Sequence, residues 1–215
     1  MNVNRISQSL IVIGLLLGCF GLVNLEEGAV LPVHWNIHGV VDKTARAEWA
    51  LLGIPVIMAV LYALPRLLQI IEPRSKHFSQ SLPAIQSIIL GITLFLFIFE
   101  VAYVLISLGV AIAMMNVIAF DLGLLFVMMG NFLGKLRSNF FVGIRTPWTL
   151  SSDDIWVKTH RLAGKLTVIA GVLAMLLAAV ADRENVFYVV TCLLLPSILV
   201  PVLYSWLLWK KHLSV

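Results

Sequence analysis

Polar and basic side chains that could carry specific chemistry concentrate in one stretch of the sequence, residues 130–161. This stretch holds five of the chain's 15 lysines and arginines, with two tryptophans and one proline, and nearly pure apolar sequence flanks it. Arginine presents a planar fork of donors that suits carboxylates, phosphates and backbone carbonyls. We therefore expect the specific chemistry of the chain in residues 130–161.

The same stretch contains a predicted helix start and a predicted irregular segment. Two serines at 151–152, followed by Asp153 and Asp154, are typical of a helix N-terminus with hydroxyl caps. Gly143 and Pro147 restrict residues 141–148 to an irregular path. Two interpretations stay open. Lysine, arginine and tryptophan could set topology and anchor the chain at the lipid headgroups. Alternatively, four polar residues tie the loop into a fixed structure that binds a ligand: Asn131, Asn139, Arg145 and His160.

A second cluster of polar residues lies near the N-terminus, in LPVHWNIHGVVD. His34 and His38 are four residues apart and would share a face if the segment were helical. Pro32 and Gly39 favour a short or irregular element instead. With Glu26, Glu27 or Asp42 the two histidines could ligate zinc, and the alternative is that they are hydrogen-bonded loop histidines.

Glu100 and Asp121 are acids inside apolar segments. Counting from the turn between their two segments, both lie at similar depth, about 15 Å from the outer end at 1.5 Å per residue. Burying an uncompensated charge there costs at least ~2.5 kcal/mol, so such residues are functional candidates. They could bind a proton or cation or form an anionic pocket for a cationic peptide, or they could be protonated and hydrogen-bonded to neighbouring helices. The spacing does not decide whether they face each other.

The elements that position these residues are membrane spans. The chain is 60% hydrophobic and 12% charged, with a mean hydropathy of +1.00, whereas soluble domains average roughly 45–50% apolar and about 25% charged residues. Runs of about 20 apolar residues can cross a bilayer as helices. The sequence predicts a single all-α membrane domain over 1–215, with an outer loop at 26–48, a short turn at 182–185, and six transmembrane helices at 6–25, 49–71, 83–108, 111–132, 162–181 and 186–209.

The distribution of positive charge predicts the orientation. Six spans put both termini and residues 130–161 on one side, which holds twelve of the 15 lysines and arginines; only Lys43, Arg46 and Arg183 fall on the other. The positive-inside rule places both termini and residues 130–161 in the cytoplasm. We expect a multi-pass plasma-membrane protein whose basic residues, which give a net charge of +4, contact lipid; we expect no direct binding of nucleic acid.

Two motifs resemble those of the SdpI family, bacterial membrane proteins named for immunity to a secreted peptide toxin that delays sporulation. The first is the signature Gly130-Asn131, Lys135, Asn139, Gly143-Ile144-Arg145-Thr146-Pro147-Trp148-Thr149-Leu150, Trp156 and Thr159-His160-Arg161. The second is a P-x-H-x-N-x-x-G-x-x-D pattern of a domain of unknown function often found upstream in this family, matched by Pro32, His34, Asn36, Gly39 and Asp42. The resemblance implies a six-span protein whose partners are the bilayer, a peptide toxin and a cytoplasmic repressor protein.

The function predicted from these observations is immunity by direct binding of an antimicrobial peptide, with signalling through residues 130–161. The sequence contains no GxSxG, HExxH, Walker or dinucleotide-binding motif, so we expect neither an enzyme nor a cofactor. The alternative from another class is a small proton- or cation-coupled transporter that uses Glu100 and Asp121. A metal-dependent membrane enzyme using His34 is the third interpretation.

Overall fold

The structure, a computed structural model, describes residues 2–180 and 185–213. Six helices in this part of the chain are long and apolar enough to cross a membrane, which confirms the predicted six-span helical fold. Residues 182–184 of the predicted turn lie outside the described residues. The elements, in order, are α1 (Val3–Val23), β1 (Val30–Trp35), β2 (Val41–Arg46), α2 (Ala47–Ile71), α3 (Ser75–Ser107), α4 (Met114–Leu133), α5 (Pro147–Ser151), α6 (Asp153–Ala178) and α7 (Val186–Leu213).

The spanning helices form two groups of three. Helices α1, α2 and α3 pack on one another, as do α4, α6 and α7, and the contact between α3 and α4 joins the groups. Successive spanning helices run in opposite directions. One end of the bundle therefore carries the β1–β2 hairpin and the α3–α4 turn, and we call it the hairpin end. The signature end carries the α2–α3 connection and the signature loop, which we define as residues 130–161.

Glycines let α4 and α6 approach backbone to backbone. A Cβ on Gly164 would lie 2.7 Å from the carbonyl oxygen of Gly130, and a Cβ on Gly171 would lie 2.5 Å from that of Gly123. Small residues at such interfaces allow close van der Waals packing in lipid, where hydrophobic burial does not drive helices together. These two glycine pairs fix the distance between α4, which leads into the signature loop, and α6, which leads out of it.

Helix α3 begins eight residues earlier than predicted, at Ser75 rather than at Pro83. A proline inside a helix removes one backbone hydrogen bond, which favours a helix that starts at the proline. The additional residues pack against the signature loop, and Phe78 is fully buried in a cluster with Leu136 and Trp156. Tertiary packing therefore extends the helix beyond the point where local preference would begin it.

The outer loop is a β-hairpin. Strands β1 and β2 pair antiparallel from Val30 opposite Arg46 to Trp35 opposite Val41, with irregular register around His34. Pro32 has no N–H to donate to the ladder, so a break beside it is expected. His34 lies on a strand and His38 in the turn, so the helical face considered for these histidines does not form.

Candidate functional site

His160 is the buried centre of the signature loop. Its Nδ1 lies 2.9 Å from the carbonyl oxygen of Trp156, and its Nε2 accepts the backbone N–H of Ile144 at 2.9 Å. A carbonyl can only accept, so the proton is on Nδ1 and the imidazole is neutral in this arrangement. The Trp156 ring stacks on the imidazole at 4.0 Å between centroids, and its indole N–H donates to the carbonyl of Leu136 at 2.8 Å. Two aromatic residues of α6 thus hold the loop at Leu136 and at Ile144.

Gly143 is required where the loop passes over this pair. Its φ is +119°, and a Cβ there would lie 2.5 Å from the Nε2 of His160 and 3.2 Å from the Trp156 ring. A side chain would meet both an unfavourable backbone conformation and a steric clash.

Asn139 organises the middle of the loop. It is fully buried, its Oδ1 accepts the N–H groups of Phe141 and Val142, and its Nδ2 donates to the carbonyls of Arg137 and Val142. All its hydrogen-bonding capacity is used within the loop, which a buried amide requires. This residue fixes backbone geometry and has no donor left for a ligand.

The segment after Arg145 forms the short helix α5. Thr146 and Thr149 form a capping box, and Pro147 occupies the first turn, where its missing N–H has no cost. The Thr146 hydroxyl also lies 3.1 Å from that of Ser205, and the Trp148 ring lies 6.5 Å from the Trp209 ring. These contacts attach the loop to α7.

Glu72 and Arg74 hold the loop from the α2–α3 connection. The nearly buried Glu72 carboxylate accepts the N–H of Arg74 at 2.9 Å and that of Phe140 at 3.0 Å. The Arg74 guanidinium donates to the Ser138 hydroxyl and to the Leu150 carbonyl, and it lies 5.1 Å from the Phe140 ring centroid. Sequence reasoning missed Glu72 and Arg74 as residues that hold the loop. The sole available signal was a carboxylate beside Pro73 at the end of a span.

The remaining signature residues do not join this network equally. Asn131 is exposed and donates to Val127 of its own helix, so it does not tie the loop. Arg145 is exposed and donates to the Phe140 carbonyl at 2.7 Å. Lys135 lies over the Phe132 ring at 4.5 Å, and Arg161 is exposed. The loop therefore has a buried polar framework and an exposed basic surface.

The hairpin residues each have a structural role. The Oδ1 of Asn36 accepts the N–H groups of His38 and Val40, at 2.9 and 3.1 Å, and Gly39 takes a φ of +73° in the turn. His34 on β1 pairs with Asp42 on β2 at 2.5 Å. Asparagine and glycine favour such turns because of their side-chain acceptor and positive φ respectively.

Tyr103 of α3 fastens the hairpin to the bundle. Its hydroxyl donates to the Pro32 carbonyl at 2.5 Å, and the Trp35 ring meets the Tyr103 ring edge-on at 6.4 Å. A cleft of about 180 Å³ lies beside this contact, between the hairpin and α2–α3. Trp49, which is 76% exposed, and the unobstructed Gly53 line it from α2. Sequence reasoning missed Tyr103 because nothing distinguishes it from other aromatic residues of a span.

The described residues contain no group of three His, Cys, Asp or Glu side chains arranged to hold a metal ion. The zinc interpretation of the outer loop therefore lacks a geometric basis within residues 2–180 and 185–213. His34 uses its Nδ1 for Asp42, and the exposed His38 lies in the turn.

Glu100 belongs to α3 and Asp121 to α4, and the two carboxylates lie on opposite sides of α3. A Cβ on Gly18 of α1 would be 3.1 Å from the Glu100 carboxylate, so Glu100 faces α1. Asp121 shares a helix face with Met128, which contacts Gly91 of α3. Gly91 and Glu100 are nine residues apart along α3, so they lie on opposite faces of this helix. Both acids are buried, and neither carboxylate has a hydrogen-bond partner among the described residues.

The sequence of this chain is similar to a known protein family and to one characterised protein. Residues 135–205 match the model of the SdpI/YfhL protein family. Over 184 residues, covering 84% of each chain, the protein is 26% identical to "Immunity protein SdpI" of Bacillus subtilis (strain 168). No solved structure gives a significant match. The upstream P-x-H-x-N-x-x-G-x-x-D pattern lies outside the family match and stays a prediction. The predicted resemblance of the signature loop to the SdpI family is confirmed by the match of residues 135–205 to this family's model.

Proposed function

We propose that this multi-pass membrane protein is an immunity protein that protects its cell by binding a secreted antimicrobial peptide. The likeness to a protein named for immunity, which extends over 84% of both chains, supports this function. Among the described residues, the two longest connections between spanning helices are 24–46 and 134–152, so a peptide arriving from one side of the membrane would meet one of them.

The hairpin end is the proposed binding surface. The observation that carries this is the exposed apolar surface of this end: Val30, Val33 and Val40 of the hairpin are exposed, and Val33 lines the cleft together with the exposed Trp49. Exposed apolar patches on extramembrane structure are typical of binding surfaces, and buried tryptophan and tyrosine contacts commonly dominate binding energy. The charge asymmetry of twelve to three favours a hairpin that faces outward, where a secreted peptide can reach it.

The signature loop is proposed to face the cytoplasm of a bacterial plasma membrane. Its buried framework gives a rigid surface from which Lys135, Arg145 and Arg161 project. A rigid basic surface suits the docking of an acidic partner, and a cytoplasmic repressor protein is the partner we propose.

Survival of a peptide-sensitive bacterium that expresses this protein tests the proposal directly. Expression should protect against the sporulation-delay peptide, and Trp49→Ala should remove protection with unchanged protein in the membrane. Trp206→Ala is a matched control, because Trp206 lies near the signature end and contacts Lys210 there. Full sensitivity of cells with confirmed membrane protein would refute binding of this peptide.

A proton- or cation-coupled transporter is the second candidate, because two buried acids lack partners among the described residues. Their placement on opposite sides of α3 means that they would act as separate sites. Asp121→Asn separates the candidates. In proteoliposomes, transport should lose its dependence on a proton gradient, whereas protection by peptide binding at the hairpin end should persist.

A further inference from the structure

A polar cavity lies at the signature end of the first helix group, apart from the signature loop network. Its volume is about 160 Å³, and residues from α1, α2 and α3 converge on it. The polar members of its lining are Asn4, Ser7, Tyr62, Arg66, Gln69 and Gln86. Four other cavities among the described residues are lined mainly by apolar side chains, so this concentration of amides at the edge of the hydrocarbon requires an explanation.

Two of these amides have no hydrogen-bond partner within residues 2–180 and 185–213. The side chains of Asn4 and Gln86 are half-buried, and neither forms a hydrogen bond with a described residue. Gln86 lies about three turns inside α3, within a spanning segment. Each amide offers two donors and one acceptor, and leaving these groups unpaired beside lipid is costly. Such polar residues in spans are functional candidates for that reason.

The guanidinium of Arg66 is available to an anion at the same cavity. It lies 5.1 Å from the Tyr62 ring centroid, and its Nη2 donates to the Tyr62 hydroxyl at 3.3 Å. No carboxylate of the described residues forms an ion pair with it. Its remaining donors suit the oxygens of a phosphate group.

We propose that this cavity binds the headgroup of an anionic phospholipid. Arg66 pairs with the phosphate, and Gln86 and Asn4 donate to phosphate or glycerol oxygens. The apolar members of the lining are Pro65, Leu82 and Ile89, and in the occupied site Leu82 and Ile89 contact the first carbons of the acyl chains. The volume is below the roughly 300–1,000 Å³ of pockets for drug-sized ligands and suits a phosphodiester group. Because the site joins the starts of α1 and α3 to the end of α2, an occupied site stabilises the first helix group.

Native mass spectrometry of the purified full chain tests the proposal. Protein in detergent is titrated with phosphatidylglycerol or phosphatidylethanolamine, and the fraction that retains one lipid is measured. Phosphatidylglycerol should be retained more strongly, and Arg66→Gln should weaken its retention about tenfold, the loss expected for one charge-assisted hydrogen bond. Lys165→Gln is the matched control, because Lys165 is an exposed cation of α6 on the same end, outside the cavity.

A second variant separates the site from general surface charge. Gln86→Leu keeps net charge and helix preference, and it should weaken phosphatidylglycerol retention while leaving the unfolding temperature in lipid-free detergent unchanged. Equal retention by wild type, Arg66→Gln and Gln86→Leu overturns the proposal. Displacement of the bound lipid by inorganic phosphate at the concentration at which phosphatidylglycerol itself binds overturns it as well, since the site would then recognise free phosphate rather than a lipid.

Discussion

The Nε2 of His160 accepts the backbone N–H of Ile144 at 2.9 Å, which joins α6 to a loop residue sixteen positions earlier in the chain. The opposite ring nitrogen, Nδ1, lies 2.9 Å from the Trp156 carbonyl, and this fixes the neutral tautomer. A protonated ring would place a donor against the Ile144 N–H. The path of residues 143–145 therefore depends on one tautomer of one buried histidine.

Gly143→Ala tests this relationship at its closest point. The positive φ costs about 1–2 kcal/mol for an L-residue, and the clash with His160 adds about 1–3 kcal/mol. Detergent denaturation of the purified protein should show a free energy of unfolding lower by about 2–5 kcal/mol. Gly109→Ala is the control, because Gly109 has a φ of +85° and no atom lies within 4 Å of the position that a Cβ would take. Equal losses in both variants would show that the clash is absent.

Glu72→Gln tests the attachment of the signature loop to the α2–α3 connection. The two carboxylate oxygens each accept a backbone N–H, and an amide can replace only one of them. We expect a loss of about 1.5–3 kcal/mol of stability and faster proteolysis within residues 137–146. Glu48→Gln is the control, since Glu48 forms an exposed pair with Arg46, and such surface pairs contribute little to stability. If proteolysis of the two variants matches, Glu72 does not hold the loop.

Gly164→Ala tests the close approach of α4 and α6. The added methyl would lie 2.7 Å from the Gly130 carbonyl oxygen, so the helices must separate. Overpacking of this kind costs about 1–3 kcal/mol, which a thermal unfolding measurement in detergent will detect. Gly53→Ala, at a helical glycine with open space beside it, should be neutral or stabilising. A Gly164→Ala protein as stable as wild type would contradict the backbone contact.

Tyr103→Phe tests the attachment of the hairpin to α3. The change removes only the hydroxyl that donates to the Pro32 carbonyl, so stability should fall by about 0.5–1.5 kcal/mol. Amide hydrogen exchange in residues 30–46 should accelerate because the hairpin loses its anchor. Tyr204→Phe, a half-exposed tyrosine of α7, controls for the loss of a phenol. Unchanged exchange in the hairpin would rule out this anchor.

Arg145→Ala tests the exposed surface of the signature loop. Arg145 donates to one backbone carbonyl and is exposed, so we expect a stability change within about 1 kcal/mol. Protection against the peptide should nevertheless be lost, because we expect this arginine to contact a partner. Survival assays with membrane levels measured in parallel decide this. Lys165→Gln provides an exposed cation control, and full protection by Arg145→Ala would exclude the role.

Much of this protein could be predicted from its sequence because a bilayer imposes strong local constraints. Hydrocarbon thickness sets the length of a span, so six apolar runs predict six spanning helices. Gly143, Pro147 and the serines before Asp153 predict the irregular path and the restart of the helix, since each acts through its own backbone or its nearest neighbours.

Tertiary structure alone decided which polar residues meet. Glu72 lies 68 positions from Phe140, and Tyr103 lies 71 positions from Pro32, so no local pattern links either pair. Gln86 and Arg66 likewise share a cavity only because α2 and α3 pack together. The relative placement of Glu100 and Asp121 also depends on helix phase and on which neighbours each face of α3 contacts. Sequence sets the depth of a residue in the bilayer, whereas helix packing sets its direction and its partners.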